Sequence, residues 1–326
     1  MTALIDGIAR NRFVVFGRAG MDLYADPPGV RSEEAYTFHA DLGGSAANIA
    51  AGLCKLGAEA ALVTSVSDDA VGRFCLNRLR HYGVDTAHVR AVGGEARTSL
   101  AVYESRIEDF QNVIYRNGAA DFEVTEADVE AVDLAPYGAL ITTGTVLAAE
   151  PSRSAHFHAL EAARTAGLPV IFDIDYRPYS WPSPQVAAEV LSRAGAASDM
   201  IVGNDEEFGF MAGSVERGLD TARALAAEGR TVIYKMGEGG AITFANGEEI
   251  RTGIYPVTAL KPNGAGDSFM AGLLSGLAAG QPLRDAILHG SACAAIVVSK
   301  PGCAPAMPTP DQLDAFLAEH PGPTEV

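Results

Sequence analysis

Hydrophobic positions along this chain fall into two alternating patterns. Short apolar runs that suit buried strands recur at residues 13–16, closed by Gly17, and at 61–66, 139–143, 169–173, 200–202 and 231–235. Between them lie segments with helical spacing: one that opens after Gly43-Gly44, with Ser45 as its expected cap, then 69–82 stopped at Gly83, 152–166 and 218–228. Strand followed by helix, repeated, predicts a parallel sheet covered by helices, an α/β fold. Residues 98–103 and 112–116 break that rhythm. They are two strand-like runs joined by the polar stretch 104–110, which is a hairpin pattern. Together with the more polar 18–40 they predict a small β-sheet lid over the strand ends, built discontinuously from about 18–40 and 98–117. Residues 241–244 and 250–257 read as antiparallel additions, and helices over 283–299 and 310–319 close the chain. No repeat, low-complexity tract or interdomain linker interrupts this order.

Composition narrows the function classes. A chain of 326 residues exceeds one ordinary compact core, so a large domain with an appendage, or two domains, is expected. Its net charge of -17 argues against nucleic acid and anionic membranes as partners. The same charge means that any anionic ligand needs a local positive site. Cys54, Cys75, Cys293 and Cys303 are scattered among apolar or small residues without metal-type spacing, and read as buried free thiols. Met1 to Arg10 lacks a long apolar core and no stretch is long enough to span a membrane, so the expected location is a reducing cytoplasm.

Candidate chemistry centres on Asn263-Gly264-Ala265-Gly266-Asp267-Ser268. Phe269, Met270, Leu273, Leu274 and Leu277 follow at helical spacing, so a helix starts at or just before Asp267. Glycines let backbone N–H groups turn toward a ligand, and the helix N-terminus adds partial positive charge. Such a nest suits phosphate and the charge that develops in phosphoryl transfer. An acid beside it makes sense as the acceptor of a proton from a substrate hydroxyl. The same residues also fit a plain turn with an N-capping aspartate.

Other groups follow strand ends, where open α/β sheets bind ligands. Asp22 lies just after the first strand. Asp173, Asp175, Arg177 and Trp181 follow another, and Arg177 is suited to fork onto a phosphate or carboxylate; a solvated Asp–Arg pair is the plainer alternative. Asn204 and Glu207 share one face of a helical turn, where Glu207 suits the water shell of Mg2+ and Asn204 suits an N-cap equally well. Lys235, Gly237, Gly239 and Gly240 form a strand end with glycines that admits a nucleotide or a hairpin turn. His156 and His158 are two apart in a helix and share no face, which argues against a metal pair.

The order of these motifs is more specific than any one of them. Gly43-Gly44 with Asn48, then Asn204 with Glu207, then 235–240, then Gly264-Ala265-Gly266-Asp267 resembles the ribokinase-like (PfkB) carbohydrate kinase family across nearly the whole chain. The resemblance implies one kinase domain over 1–326 with a central, mostly parallel sheet flanked by helices and a β-lid. It also implies ATP and Mg2+, with transfer of the γ-phosphoryl group to a primary hydroxyl. On the same basis Asp267 is the base, and Gly264, Ala265 and Gly266 form the anion hole. Asp22, Gly44 and Asn48 hold sugar hydroxyls. Asn204, Lys235, Gly237, Gly239, Gly240, Gly264 and Gly266 face the nucleotide, and Glu207 reaches Mg2+ through water.

Narrower features are similar to the family's kinases of deoxy-keto sugar acids. They are Gly17-Arg18 with Asp22-Leu23-Tyr24, Tyr115-Arg116-Asn117, Thr143-Gly144-Thr145, and Asp173 through Trp181. They imply 5-dehydro-2-deoxy-D-gluconate, from myo-inositol breakdown, as the acceptor, with Arg116 and Arg177 on its carboxylate. Alternatives are 2-keto-3-deoxygluconate, a neutral ketose or a nucleoside, and a non-enzymatic sugar-binding regulator on the same fold. A Rossmann dehydrogenase is disfavoured because no Gly-x-Gly-x-x-Gly follows the first strand. One departure stands out: the family usually has Asp-Thr where this chain has Lys261-Pro262. In many relatives that Asp helps to hold a monovalent cation, so Lys261 is a candidate substitute for it, or else an exposed loop lysine. Lid sheets in this family often pair between subunits, which makes a homodimer an expectation.

Overall fold

The computed structural model describes residues 2–320 and 322–324. The first helix, α1 (Thr2–Ile8), falls in the stretch read as lacking an apolar core; Met1 lies outside the described residues. The chain then runs through β1 (Arg12–Phe16), β2 (Gly20–Asp26), β3 (Thr37–Gly43), α2 (Ser45–Lys55), β4 (Glu59–Ser67), α3 (Ala70–His81), β5 (Val89–Val92), β6 (Ser99–Tyr103) and β7 (Asn112–Tyr115). Next come α4 (Glu126–Glu130), β8 (Ala139–Thr143), α5 (Ser152–Thr165), β9 (Val170–Asp173), α6 (Pro184–Ala196), β10 (Met200–Asn204), α7 (Asp205–Ala212), α8 (Gly218–Ala227), β11 (Thr231–Lys235), β12 (Ala241–Ala245) and β13 (Glu248–Thr252). The last helices are α9 (Ala265–Ala278), α10 (Leu283–Val298) and α11 (Pro310–Glu319).

Nine strands form one sheet in the order β13-β12-β11-β10-β9-β8-β1-β4-β5, parallel except that β12 runs antiparallel to both its neighbours, β11 and β13. The central strands are apolar on both faces because helices cover both, as parallel sheets require. One apolar layer joins α2, α9 and α10 to the sheet, and a second joins α5, α6 and α8 to the other face. From β1 the chain moves outward to β4 and β5, then returns to β8 and proceeds the other way. The reversal between β1 and β8 creates a crevice at their carboxyl ends, the usual ligand position in such sheets.

A second sheet of four strands, in the order β3-β2-β6-β7, is built from the two segments expected to form a lid. Its β2 pairs antiparallel with β3 and parallel with β6. Alternation along β2 turns Asp22 and Tyr24 to the buried face. The polar Asp22 therefore points inward from a strand whose other buried residues are small or apolar.

Local signals worked unevenly. Asp69, the first residue of the segment expected as helix 69–82, caps α3, its carboxylate accepting from the N–H groups of Val71 and Gly72. Ser45 does not cap α2: Gly44 holds the cap position at φ 96°, and the Ser45 hydroxyl donates to Asp175 instead. A Cβ on Gly44 would lie 2.3 Å from the Arg18 carbonyl oxygen, so a side chain is excluded there. The strand expected over 250–257 ends at Thr252, where Gly253 and the Pro256 region leave the sheet. Small residues on α2 serve close packing, since a Cβ on Gly52 would meet Ala271 of α9 at 2.7 Å. Cys54 is only partly buried, while Cys75, Cys293 and Cys303 are buried, and all four are free thiols. Among the described residues no helix is long and apolar enough to cross a membrane.

Candidate active site

Helix α9 begins with three residues whose N–H groups have no acceptor within the helix, as at any helix start. Its cap residue is Gly264, in the left-handed region at φ 84°, with no side-chain cap. The first-turn N–H groups of Ala265, Gly266 and Asp267 are thus left for a ligand. Cys303 packs directly behind Gly264, where a Cβ would come within 2.5 Å of its sulfur.

Asp267 is held from one side. Asn48 Nδ2, from the first turn of α2, donates to its Oδ2 at 2.9 Å, and the Cys303 thiol donates to the same oxygen across 3.6 Å. Its Oδ1 has no partner among the described residues and stays open to the cleft. Burial pushes the Asp267 carboxyl up to about 6; the Asp175 charge adds to the rise, and the Asn48 hydrogen bond and Arg177 oppose it. A base must be deprotonated to act. The acid limb of kcat/KM is therefore expected to bend near pH 6 and fall about tenfold per unit below it. A rate independent of pH between 5 and 7 would contradict a role for this carboxylate.

Two lysines bracket the helix start. Lys235, at the end of β11, brings its ammonium within 3.4 Å of where a Gly266 Cβ would lie, beside the glycine nest, and over the Phe269 ring. Lys261 is fully buried, at 0% exposure. Its ammonium donates to the carbonyl oxygens of Asn263 at 2.5 Å and Val297 at 3.2 Å. Burial lowers its pKa, against the opposing pull of Cys303 and Asp267. The exposed-loop alternative for Lys261 is thus ruled out by its packing.

Beneath the four-stranded sheet, acids and arginines converge from strand ends far apart in sequence. Asp22 is pushed up to about 7 by burial, with Arg18 and the Tyr24 hydroxyl opposing. Its Oδ2 accepts from the Tyr24 hydroxyl at 3.1 Å, whereas its Oδ1 is buried without a partner, as is Asn48 Oδ1. Asp175 sits at φ 37° just past β9, a conformation that costs a non-glycine residue about 1–3 kcal/mol. It ion-pairs with Arg177 at 2.7 Å and accepts from Ser45, and these contacts hold its carboxyl below the usual range despite burial. Arg116 is engaged within the protein: it pairs with Asp121, donates to the Thr145 carbonyl at 2.8 Å and stacks 4.1 Å over Phe122. The expectation that Arg116 presents a free fork to a carboxylate therefore meets a guanidinium that already holds a carboxylate and a carbonyl, with only its buried Nε left unpaired.

On the other side, Asn204 and Lys235 are register neighbours at the ends of β10 and β11. Asn204 and Glu207 form a reciprocal capping box, with 2.8 Å bonds from the Glu207 N–H to Asn204 Oδ1 and from the Asn204 N–H to Glu207 Oε2. The capping alternative is therefore realised, and it fixes the buried Glu207 carboxylate near Asp173. Burial raises both carboxyls, Asp173 well above its ordinary range, and the Lys235 charge opposes the rise in each. Gly237, Gly239 and Gly240 make the turn of the β11–β12 hairpin, directly after Lys235.

His156 and His158 separate as expected. His156 is buried against Thr142 with its pKa lowered to about 3, and His158 faces Glu130 at the surface. Among the described residues no three acidic, histidine or cysteine side chains gather into a metal cage. Sequence reasoning missed three features: the link from Ser45 to Asp175, the thiol of Cys303 beside Asp267, and the position of Arg18. Arg18 was visible only as part of a motif.

The geometry agrees with comparison to known proteins. Residues 10–310 match the pfkB family carbohydrate kinase. The chain belongs to the pfkB family of carbohydrate kinases. It is an ATP-dependent sugar kinase of that family. It is 37% identical over 310 residues to the 5-dehydro-2-deoxygluconokinase of Photobacterium profundum, covering 93% of this chain and 94% of that protein. The protein of that name from Geobacillus thermodenitrificans is 37% identical over 311 residues, covering 94% and 92%. Among solved structures, a PfkB protein from Polaromonas sp. JS666 superimposes with a TM-score of 0.80 at 28% identity, over 93% of this chain and 99% of that one. A double mutant of fructokinase from Vibrio cholerae O395, in its fructose-, ADP- and potassium-bound form, gives 0.82 at 26% identity, over 94% and 98%. The pfkB fold expected from the motif order, a mostly parallel sheet with helices on both faces and a small second sheet, is the fold observed.

Proposed function

We propose that this kinase transfers the γ-phosphoryl group of ATP to the primary hydroxyl of a deoxy-keto sugar acid, with 5-dehydro-2-deoxy-D-gluconate as the acceptor. The observation that carries the reading is Asp267, anchored through Oδ2 and open at Oδ1, on the first turn of an uncapped helix. The relatives' shared name and the arginine-rich floor beneath the four-stranded sheet support the acid acceptor. We read residues 1–326 as one kinase unit and the small sheet as its lid.

The acceptor enters under the lid against Asp22, Gly44, Asn48, Arg116 and Arg177. Its hydroxyls donate to the unpartnered Asp22 Oδ1 and Asn48 Oδ1, which relieves two buried orphans. ATP lies along Asn204, Lys235, Gly237, Gly239 and Gly240, with the far wall before residues 299–301. Asp267 Oδ1 takes the hydroxyl proton as the alkoxide oxygen bonds to the γ-phosphorus, and the bond from that phosphorus to the β-bridging oxygen breaks. The N–H groups of Ala265 and Gly266 and the Lys235 ammonium meet the charge that develops on the γ-oxygens. The raised carboxyls of Glu207 and Asp173 fit a nearby divalent cation, which would relieve two buried acids, and a site with few carboxylates suits Mg2+. When bound, Mg2+ neutralises phosphate charge; Glu207 and Asp173 would hold its water shell. Lid closure excludes water and limits ATP hydrolysis. Four free thiols suit the reducing cytoplasm.

ADP release measured across deoxy-keto sugar acids, hexoses and nucleosides tests the reading. The highest kcat/KM is expected for 5-dehydro-2-deoxygluconate. A preference for a hexose or nucleoside would overturn the acceptor, and no ADP release with any sugar would favour a binding protein.

Lys261 takes the place of a monovalent cation in this reading. Its ammonium sits on two backbone carbonyls, one from the glycine-nest loop and one near the end of α10, as a bound cation would. Equal rates in Na+, K+ and a bulky organic cation are expected; strong K+ activation would refute it. The lid's outer face exposes Ile107, Phe110, Val113 and Tyr115, which suits pairing with a second copy. Sedimentation should report a dimer that Val113→Glu with Tyr115→Glu dissociates. A monomeric wild type would end that proposal.

A further inference from the structure

Three guanidinium groups meet under the lid, and they differ in what they already hold. Arg116 is committed to Asp121 and the Thr145 carbonyl. Arg177 is committed to Asp175 and to its neighbour's carbonyl. Arg18 is 7% exposed, yet donates one hydrogen bond, from Nη1 to Ser99 Oγ at 2.8 Å. Among the described residues no carboxylate lies within ion-pair distance of it, although Asp22, Asp121 and Asp175 act on it from further away. A guanidinium has five N–H donors. The remaining nitrogens of Arg18 are not among the sealed-off polar atoms, so they reach the cleft.

The backbone fixes where those donors point. Arg18 follows β1 at the reversal of strand order, and its carbonyl accepts from the Ala47 N–H at the start of α2. Its Nη1 lies within 2.8 Å of where a Gly20 Cβ would stand, so glycine at the start of β2 lets the head group fold against the lid strand. Arg18 thus lies against the start of the lid strand that carries Asp22, within electrostatic reach of that acid.

We infer that Arg18 is the residue that binds the acceptor's carboxylate, and that it, not Arg116, makes the enzyme select a sugar acid over a neutral sugar. This rests on the sugar-acid reading above. Arg116 and Arg177 each already hold an aspartate and frame the site, Arg116 keeping one sealed-off Nε–H, whereas Arg18 is the buried guanidinium of the three without a carboxylate partner among the described residues. Burying a carboxylate against it completes a pair that the protein leaves half-made. A neutral sugar in the same place would leave the guanidinium without its partner, which is costly in a buried site.

The test compares 5-dehydro-2-deoxygluconate with its methyl ester, which keeps the shape and removes the charge. Arg18→Met should raise KM for the acid at least about 100-fold, the scale of losing one partner of a buried charge pair, and change KM for the ester and for ATP less than about threefold. Arg18→Lys should keep part of the preference for the acid, because charge remains without the planar fork. Equal losses for acid and ester would overturn the inference, as would an unchanged acid preference in Arg18→Met. Should Arg18→Met fail to fold, as judged by its melting curve, Arg18→Lys and Arg18→Gln carry the same comparison. A wild-type enzyme that prefers the acid while Arg18 variants do too sinks only this assignment. A wild-type enzyme indifferent to acid and ester sinks the sugar-acid reading with it.

Discussion

Asp267→Asn is expected to lower kcat about a thousandfold, the middle of the range for removing a positioned general base. Asparagine keeps the shape and still accepts the Asn48 hydrogen bond that now ends on Oδ2. It cannot take a proton from the acceptor hydroxyl. The helix N-terminus, Lys235 and the glycine nest are untouched, so ATP affinity should stay within a few-fold of wild type. Calorimetric titration with a non-hydrolysable ATP analogue, set beside steady-state kcat, separates the two effects. A variant with nearly full turnover would remove Asp267 from the base role. One that lost ATP binding in proportion would make it a structural residue of the nest.

Gly264→Ala should be nearly as damaging, by a different route. At φ 84° an alanine is strained by about 1–2 kcal/mol, and its Cβ would sit 2.5 Å from Cys303 Sγ and 3.1 Å from Val297 Cγ1. Cys303 has little room to retreat because it is buried and itself faces Asp267. The first turn of α9 must shift, and with it the N–H groups aimed at the transferring phosphoryl group. Misplacing such donors costs about 100- to 1,000-fold in kcat. Gly229→Ala is the control: its φ of 96° gives comparable strain, and nothing lies within 4 Å of the added carbon. Both variants should melt a few degrees lower. Only Gly264→Ala should lose turnover; equal kcat in the two would show that the nest does not act on the reaction.

The sheet was readable in the sequence because its strands are buried on both faces and so appear as unbroken apolar runs bounded by glycine, as at residues 13–17. Edge strand β5 was not, since its exposed residues carry no such pattern. Helix α6 escaped notice although Ser183 before Pro184 is a strong start signal, realised here by a hydrogen bond from the Val186 N–H to the Ser183 hydroxyl. At the site, residues adjacent in sequence were easier to interpret than residues adjacent in space. The glycine nest and Asp267 lie within four positions of each other and were found together. Ser45 and Asp175 are 130 positions apart, and nothing local shows that the hydroxyl leaves its helix cap for a distant acid. Arg116 looked free because Asp121, five positions on, gives no sign from spacing alone that it folds back onto the guanidinium. Lys261 illustrates the same limit: a lysine beside a proline reads as a loop, and only packing reveals an ammonium sealed against two carbonyls.

Product stoichiometry tests the central claim most directly. Purified enzyme, ATP, Mg2+ and 5-dehydro-2-deoxygluconate, followed by phosphorus NMR, should yield one new sugar phosphomonoester for each ADP, with almost no inorganic phosphate. ADP accompanied by an equal amount of inorganic phosphate, or no turnover of this acid while another sugar is phosphorylated, would contradict the account.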